Sequence, residues 1–240
     1  MNESSVKPFK DILGRFEESA RQKQAEWDAL PEEEKQRIQT EERRKEELQR
    51  HEELITLYKS KGIPPKFYTS SWDNWISDTE EKQEAFSVVK EMAWRTNLFL
   101  CGKSGTGKTH LAMCLAKDGA TYRRLPDLFR EVRSDLNSEQ DTIDRYGIIK
   151  LLIIDEVGRQ KFSPFERNLF FEIIDKRWNN EVPTTIITNL SEDEFLEEYG
   201  TAIIDRLRPE IVEFNWESKR ETLYIEEAPP ASNNYENIEF

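Results

Sequence analysis

The octapeptide GKSGTGKT, residues 102–109, constrains this chain more than any other segment. It fits the pattern G-x-x-x-x-G-K-[ST] at every defined position. Its three glycines, Gly102, Gly105 and Gly107, allow the backbone to turn so that successive N–H groups face one anion. An apolar, strand-like run precedes the octapeptide and a helix-like run follows it. Strand, loop and helix in this order predict a phosphate-binding loop that also uses the positive end of the helix.

The two residues that end the octapeptide carry its chemistry. Lys108 supplies a positive charge for the β- and γ-phosphates, and the Thr109 hydroxyl is a ligand for Mg²⁺. A glycine-rich turn with an adventitious lysine is the alternative, and the flanking strand and helix disfavour it. We therefore expect ATP and Mg²⁺ as cofactors. The expected nucleotide-binding residues are Gly102, Lys103, Ser104, Gly105, Thr106, Gly107, Lys108, Thr109 and His110.

A second motif, KLLIIDE at 150–156, is an apolar strand that ends in two carboxylates. Asp155 is expected to hold the Mg²⁺ shell, and Glu156 to polarise the water that attacks the γ-phosphate. Taken alone, the segment fits a buried strand followed by an acidic helix cap equally well. Its position some fifty residues after a phosphate-binding loop favours the catalytic interpretation, and Asp followed by Glu favours hydrolysis over transfer to a metabolite.

Polar residues near the ends of two later segments complete the expected site. Asn189 follows the apolar run 182–188 and is a candidate for orienting the attacking water, although a turn asparagine is equally compatible with the local sequence. Arginines occur in IIDRLR, 203–208, and in WESKR, 216–220. An arginine aimed at the γ-phosphate stabilises the charge of the transferred group. Most surface arginines of acidic proteins serve only solubility.

Residues 97–225 alternate between strand-like and helix-like segments. This alternation predicts an α/β fold with a five-stranded, mostly parallel sheet covered by helices on both faces. The predicted strands are 97–101, 120–124, 150–155, 183–188 and 211–215, and the predicted helices between them are 108–117, 126–137, 164–180 and 191–199.

The N-terminal residues 1–62 differ in character from the rest. A narrow apolar stripe at helical spacing predicts a short amphipathic helix, and a second helix is expected from Pro31 to Gly62. Because charges cover every face of the second helix and a/d heptads are absent, a solvated helical linker is favoured over a coiled coil. We expect a bridging segment at 63–96, an ATPase domain at 97–226 and a disordered tail at 227–240. The stripe comprises Phe9, Ile12, Leu13, Phe16 and Ala20.

Composition limits the partners and the cellular location that we expect for the protein. The formal net charge of −13 argues against a protein that coats duplex DNA and suits an adaptor that binds other proteins. Cys101 and Cys114 have neither zinc-site nor disulfide spacing, so a reducing cytoplasm is the expected location. The apolar runs are too short for a membrane helix, and the polar first residues do not resemble a secretory leader.

The motifs together resemble the DnaC-type helicase loaders of the AAA+ ATPase superfamily, the DnaC/IstB-like family, over about residues 60–225. The resemblance implies that Lys108 and Thr109 bind nucleotide and Mg²⁺, and that Asp155 and Glu156 form the acidic pair. It implies that Asn189 is a sensor, that Arg206 acts on a neighbouring subunit, and that Arg220 senses nucleotide in its own subunit. It also implies that no C-terminal helical lid is present. The motifs that carry it are GKSGTGKTHLA, LLIIDEVGRQ, TTIITNLS, IIDRLRP and VEFNWESKR.

The resemblance implies an ATP-dependent loader that binds a hexameric, DnaB-type replicative helicase and helps to place it on single-stranded DNA. The N-terminal helices would hold the helicase, the ATPase domain would self-associate, and no membrane would be involved. Two alternatives stay open, an IstB-like transposition helper and a nucleotide-switched adaptor without significant hydrolysis. The presence of Glu156 and Arg206 disfavours the adaptor. The absence of an evident acceptor pocket disfavours a small-metabolite kinase.

Overall fold

The structure of this chain is a computed structural model that describes residues 7–134, 139–158 and 161–218, without the side chains of residues 7–13, 15, 16 and 20. Three expectations therefore lie outside the described residues: the side chains of the N-terminal apolar stripe, the role of Arg220, and the tail at 227–240. The chain divides into two compact units, Met1–Thr56 and Leu57–Phe240. The domain boundaries expected after residues 62, 96 and 226 stay predictions.

The first unit is built from helices. Helix α1 spans Lys7–Ala29, which is longer than the short helix expected, and helix α2 spans Glu32–Ser60, continuing beyond the unit. The carbonyl of Pro31 accepts the first backbone hydrogen bonds of α2, and three glutamates occupy its first turn, where negative charge is favourable. No residue of α2 is buried, as a helix with charges on every face requires.

The second unit contains a five-stranded sheet with the spatial order β2-β3-β4-β1-β5. All four described strand pairings are parallel, which confirms the predicted sheet and makes it wholly parallel in its described part. The carboxyl ends of the strands therefore share one edge, where ligands bind in folds of this class. The strands are β1 (Leu98–Gly102), β2 (Thr121–Arg124), β3 (Leu152–Val157), β4 (Thr184–Thr188) and β5 (Glu210–Phe214).

Helices cover both faces of this sheet. Alternate residues of β1 show the division, since Leu98 and Leu100 pack on one face while Phe99 and Cys101 pack on the other. The first face is covered by α3 and α4, and the second by α5 to α9. These helices are α3 (Glu80–Met92), α4 (Lys108–Lys117), α5 (Leu125–Ser134), α6 (Glu139–Ile148), α7 (Pro164–Asn179), α8 (Glu192–Tyr199) and α9 (Thr201–Leu207).

Between the second and third strands, the sequence-based prediction placed a single helix at 126–137. The structure instead has α5 at Leu125–Ser134 and a separate α6 at Glu139–Ile148. The buried side of α6 comprises only Thr142, Ile143, Tyr146 and Gly147, a stripe too short to give a clear helical period. No helix follows β5 within the described residues 215–218, and no helix in the described part of the chain is long and apolar enough to cross a membrane.

The bridging segment between α2 and α3 is tied to the α/β core by polar contacts. It contains two 3₁₀ helices, Pro65–Phe67 and Trp72–Asn74. Trp72 Nε1 donates to Asp118 Oδ2 over 2.8 Å, and Lys117 Nζ donates to the carbonyl of Tyr68 over 2.7 Å. The segment therefore packs along α4, the helix that follows the octapeptide.

Candidate functional site

The loop between β1 and α4 adopts a conformation that depends on two of its glycines. Gly102 and Gly107 have φ values of 115° and 102°, which favour glycine. A Cβ atom would lie 2.5 Å from the carbonyl oxygen of Phe214 at Gly102, and 2.5 Å from the Trp75 ring at Gly107. Both glycines are therefore needed for conformation and for space. The loop holds the N-terminus of α4 at the carboxyl edge of the sheet.

Lys108 lies folded over this loop. Its Nζ donates to the carbonyl oxygens of Gly102 and Lys103, each over 2.6 Å, and the residue is only 5% exposed. Burial lowers the pKa of Lys108 to about 8, and the negative charge of Asp155 opposes this shift. The ammonium group therefore has little water around it. Because water screens its charge only weakly, its attraction for a phosphate is stronger than that of an exposed lysine.

Asp155 joins the phosphate-binding loop to the end of β3. Its Oδ2 accepts a hydrogen bond from Thr109 Oγ1 over 3.0 Å, and its Oδ1 accepts one from the backbone N–H of Glu156 over 2.6 Å. Burial raises the pKa of the Asp155 carboxyl, while these hydrogen bonds lower it. The structure thus brings together the two residues expected to hold Mg²⁺, which is bound in proteins by oxygen ligands of this kind.

Glu156 lies where β3 departs from regular geometry. Its φ is +61°, one of three positive values among the described non-glycine residues, and the β3–β4 register shifts between Ile154 and Val157. Such a conformation costs about 1–3 kcal/mol and persists where the surrounding structure enforces it. At this irregular point of β3, the half-buried Glu156 lines the cavity that contains the phosphate-binding loop.

Asn189 follows β4 and lines the same cavity as Glu156. The residue is exposed, and the preceding Thr188 anchors the strand end because its Oγ1 donates to the carbonyl of Val157 over 2.7 Å. The parallel sheet thus places Asn189 beside the end of β3, at the edge where the sequence predicted it. Its role as a sensor stays a prediction.

One cavity of about 950 Å³ connects these groups. Most of the expected nucleotide-binding residues line it, and its size is at the upper end of the range for small-molecule sites. Gly102 and Lys103 form the base of the loop and do not line the cavity directly. Besides Asp155, Glu156 and Asn189, the lining includes residues 104–110, Tyr122, Arg123, Arg124 and Asp127, as well as Gly62 and, from the bridging segment, Pro64, Lys66 and Phe67.

Arg206 lies outside this cavity. On α9, its Nε donates to Asp175 Oδ1, and its guanidinium lies 4.5 Å from the centre of the Phe171 ring, so that both contacts are with α7. The neighbouring Arg208 is exposed and has a left-handed backbone, with φ 39°. In its own chain Arg206 therefore contacts α7 and not the phosphate-binding loop. Arg220 lies outside the described residues.

Sequence reasoning missed the aromatic residues that support the loop. Trp216 Nε1 donates to the carbonyl of Thr106 over 2.9 Å, and the rings of Trp75 and His110 lie 5.9 Å apart. His110 Nε2 is also 3.1 Å from the carbonyl oxygen of Ser71. The only signal in the sequence was the richness of the bridging segment and of FNWESKR in aromatic residues.

Sequence reasoning also missed Tyr122. It lies on β2, and its hydroxyl donates to Asp155 Oδ2 over 3.0 Å. The same carboxylate oxygen thus receives hydrogen bonds from two hydroxyls, those of Tyr122 and Thr109. An alternating pattern in the four-residue strand could have indicated that Tyr122 is buried, but not what its hydroxyl binds.

Comparison with known proteins agrees with this geometry. The chain is 27% identical over 177 residues to the replicative helicase loader DnaC of Escherichia coli K12, which covers 66% of this chain and 72% of that protein. It is 30% identical over 200 residues to the Escherichia coli K12 protein YdaV, which covers 74% of this chain and 80% of that protein. A crystal structure of the DnaC helicase loader has the same fold, with a TM-score of 0.55 and 19% identity, over 63% of this chain and all of that one.

The family model described as IstB-like ATP binding protein matches residues 35–224. The matched range contains the phosphate-binding loop, the acidic strand end and Asn189, as well as the whole five-stranded sheet. The chain therefore belongs to the IstB-like ATP binding protein family and has the AAA+ P-loop fold of the DnaC loaders.

Proposed function

We propose that this protein is a Mg²⁺-dependent ATPase that binds a hexameric replicative helicase and helps to deposit it on single-stranded DNA. The observation that carries the ATPase proposal is the contact between Thr109 and Asp155, which joins the phosphate-binding loop to the acidic end of β3 inside one cavity. The likeness to the DnaC loaders supports the loading role. The mechanism below is proposed on the same grounds.

The residues present fit a Mg²⁺ ion bound together with a nucleotide. The Thr109 hydroxyl and the Asp155 carboxylate supply hard oxygen donors at a distance of 3.0 Å from each other. A bound Mg²⁺ neutralises charge that develops on the β- and γ-phosphates. Thr109 and Asp155 would hold it, and Lys108 would add a fixed positive charge to the same phosphates.

Hydrolysis needs an activated water, and we assign the acceptance of its proton to Glu156, which lines the cavity. As the water oxygen bonds to the γ-phosphorus, one of its protons passes to the Glu156 carboxylate, and the bond from phosphorus to the β,γ-bridging oxygen breaks. The products are ADP and inorganic phosphate. Asn189, at the end of the next strand, would orient the water through its side-chain amide.

Arg206 is proposed to act on the site of a second copy of the chain. Its position on α9 outside the cavity supports this, because none of its contacts within the described part of the chain is with the phosphate-binding loop. A head-to-tail contact between ATPase domains would bring it to a neighbouring γ-phosphate and would couple hydrolysis to self-association. Arg220 is proposed as the sensor within its own subunit.

A second candidate function is an IstB-like transposition helper, because the matching family model is described as IstB-like. It would use the same nucleotide site but would remodel DNA for a transposase. A third candidate is a nucleotide-switched adaptor that does not hydrolyse ATP. The three candidates differ in partner and in turnover, so two measurements separate them.

The first measurement is steady-state ATP hydrolysis by Glu156→Gln. The amide keeps the shape of the side chain but cannot accept the proton, so this variant is expected to bind ATP normally and to turn over at least about a hundredfold more slowly. The control is Glu172→Gln, because Glu172 is an exposed acid on α7 that does not line the cavity. Wild-type hydrolysis in Glu156→Gln would refute the assigned base, and a wild type that binds ATP without turnover would favour the adaptor.

The second measurement is co-purification of the full chain with a DnaB-type hexameric helicase, with ATP and without nucleotide. A loader is expected to retain the helicase in the wild-type chain, and Mg²⁺–ATP is expected to change the amount retained. Lys108→Ala should abolish that dependence, while Lys150→Ala, an exposed lysine at the opposite edge of the sheet, should preserve it. Capture of a transposase instead of the helicase would support the transposition helper.

A further inference from the structure

The Asp155 carboxylate accepts three hydrogen bonds, and one of them comes from outside the motifs of the nucleotide site. Its Oδ2 accepts from Thr109 Oγ1 and from the Tyr122 hydroxyl, each over 3.0 Å, while the backbone N–H of Glu156 donates to its Oδ1. Thr109 and Glu156 belong to the motifs that define the site. Tyr122 belongs to neither motif and reaches the carboxylate from a different strand.

The parallel register between β2 and β3 explains how Tyr122 reaches Asp155. Tyr122 pairs with Ile153, and Arg124 pairs with Asp155, so Tyr122 and Asp155 lie on the same face and are offset by two residues along the strands. A tyrosine side chain is long enough to span this diagonal, and a shorter polar residue would not reach. The pairing of β2 with β3 thus places the Tyr122 hydroxyl next to the Asp155 carboxylate.

The backbone around Tyr122 is held from two sides. Its N–H donates to the carbonyl of Lys61 over 2.8 Å, and its carbonyl accepts from Arg123 Nη1 over 2.8 Å. Gly62, with φ +81°, lies so close that a Cβ atom there would be 2.1 Å from the Tyr122 carbonyl oxygen. Tyr122 is itself only 4% exposed. Tyr122 therefore has little freedom to move, which suits a group that orients another side chain.

We propose that Tyr122 is a positioning residue that holds the Asp155 carboxylate in the orientation needed for Mg²⁺ to bind with the nucleotide. This inference rests on the proposed nucleotide and Mg²⁺ site. Thr109 must serve both the ion and Asp155, so it cannot fix the carboxylate alone, whereas Tyr122 is committed to Asp155. Groups that orient metal ligands in this way typically change metal affinity by 10–100-fold when they are removed.

The test compares Tyr122→Phe with the wild type by titrating Mg²⁺ into the full chain with a fluorescent ADP analogue bound. Tyr122→Phe removes one oxygen and keeps the packed ring. It is expected to raise the Mg²⁺ concentration at half-maximal effect by about tenfold. Affinity for the analogue in EDTA should stay within about twofold of the wild type, because the substitution keeps the ring that lines the cavity and removes only the hydroxyl that is bonded to Asp155.

The matched control is Tyr146→Phe. Tyr146 is also buried, and its hydroxyl donates to Glu131 and accepts from Arg123, so neither of these bonds involves Asp155. This variant controls for the loss of a buried phenolic hydroxyl and should leave the Mg²⁺ requirement unchanged. Melting temperatures of both variants, measured without nucleotide and Mg²⁺, separate an effect on stability from an effect on the ion.

An unchanged Mg²⁺ requirement in Tyr122→Phe would overturn the inference, whether or not its melting temperature falls. An equal change in Tyr122→Phe and Tyr146→Phe would also overturn it, because the effect would then follow from general loosening. These results leave the proposed nucleotide site intact. A wild-type chain that does not bind the analogue, or binds it equally with and without Mg²⁺, would instead contradict the proposed function.

Discussion

Trp216 Nε1 donates a hydrogen bond to the carbonyl of Thr106 over 2.9 Å. The bond connects the segment after β5 to the interior of the phosphate-binding loop, 110 residues earlier in the chain. The Trp216 ring also packs on Phe214, with ring centres 4.9 Å apart. The loop that faces the nucleotide is therefore supported by the end of the sheet as well as by its own glycines.

Trp216→Phe should weaken nucleotide binding by about threefold to tenfold. Phenylalanine keeps the ring contact with Phe214 but removes the donor to Thr106, and such a hydrogen bond contributes about 1 kcal/mol. The measurement is the affinity for a fluorescent ATP analogue. Trp178→Phe is the control, because Trp178 is 53% exposed on α7. Equal affinities in all three proteins would show that the loop keeps its shape without Trp216.

Arg206→Ala should bind nucleotide normally but lose most ATP hydrolysis, because the proposal places this guanidinium in the site of a neighbouring subunit. Mixing it with Lys108→Ala should restore part of the activity, since each variant supplies the group that the other lacks. Loss of the contacts with Asp175 and Phe171 should also lower the melting temperature slightly. Arg208→Ala serves as the control.

Failure of the mixture to recover activity at any ratio would argue that Arg206 acts in its own chain or not at all. If Arg206→Ala keeps its rate of hydrolysis per folded molecule, its ion pair with Asp175 and its contact with Phe171 are its whole role, and Asp175→Asn should reproduce the loss of stability.

Arg177→Met should lower the free energy of unfolding by about 3 kcal/mol. Arg177 is 1% exposed, and its guanidinium donates to Thr184 Oγ1 and to the carbonyls of Tyr146, Ile149 and Pro183 at 2.5–3.0 Å. Methionine would leave these buried oxygens without a donor. Urea unfolding measures the effect, and Arg167→Met, an exposed arginine on α7, should change stability by less than about 0.5 kcal/mol. A change below about 1 kcal/mol in Arg177→Met would mean that water replaces the guanidinium.

The sequence predicted the sheet well, most directly at β1 and β3, which begin with short apolar runs. All five strands lie within two residues of their expected ends, and the carboxyl edge gathers Asp155, Glu156 and Asn189 as expected. Long-range contacts were not predictable. Tyr122, Arg177 and Trp216 each bind a group on another element, and a single sequence contains no signal for such pairs. Helix α6 was missed because its buried stripe is short.

Deleting residues 1–25 should abolish co-purification with the helicase while leaving nucleotide affinity unchanged. The reason is the expected apolar stripe of Phe9, Ile12, Leu13 and Phe16, which is proposed to dock into a groove of the partner. The alternative is that the stripe packs against Trp27 and Leu30 as a helical hairpin. A second variant keeps the full length of the chain and replaces the four stripe residues by alanine. It should also fail to bind the helicase, which would assign the loss to the stripe and not to the shortened chain.

Retention of the helicase by the truncated chain would place the contact elsewhere. The bridging segment would then be the next region to test, at Phe67, Tyr68, Trp72 and Trp75. Because Trp72 and Tyr68 also tie this segment to α4, variants there must be checked for nucleotide affinity before a loss of helicase binding is interpreted.

Binding of ATP at the phosphate-binding loop is the central claim, and the affinity of Lys108→Ala for a fluorescent ATP analogue tests it most directly. Lys108 places a poorly hydrated positive charge over the loop, so its loss should weaken binding by at least about thirtyfold. Circular dichroism should stay unchanged, and Lys150→Ala should bind as the wild type does. An affinity of Lys108→Ala within about twofold of the wild type would contradict the claim.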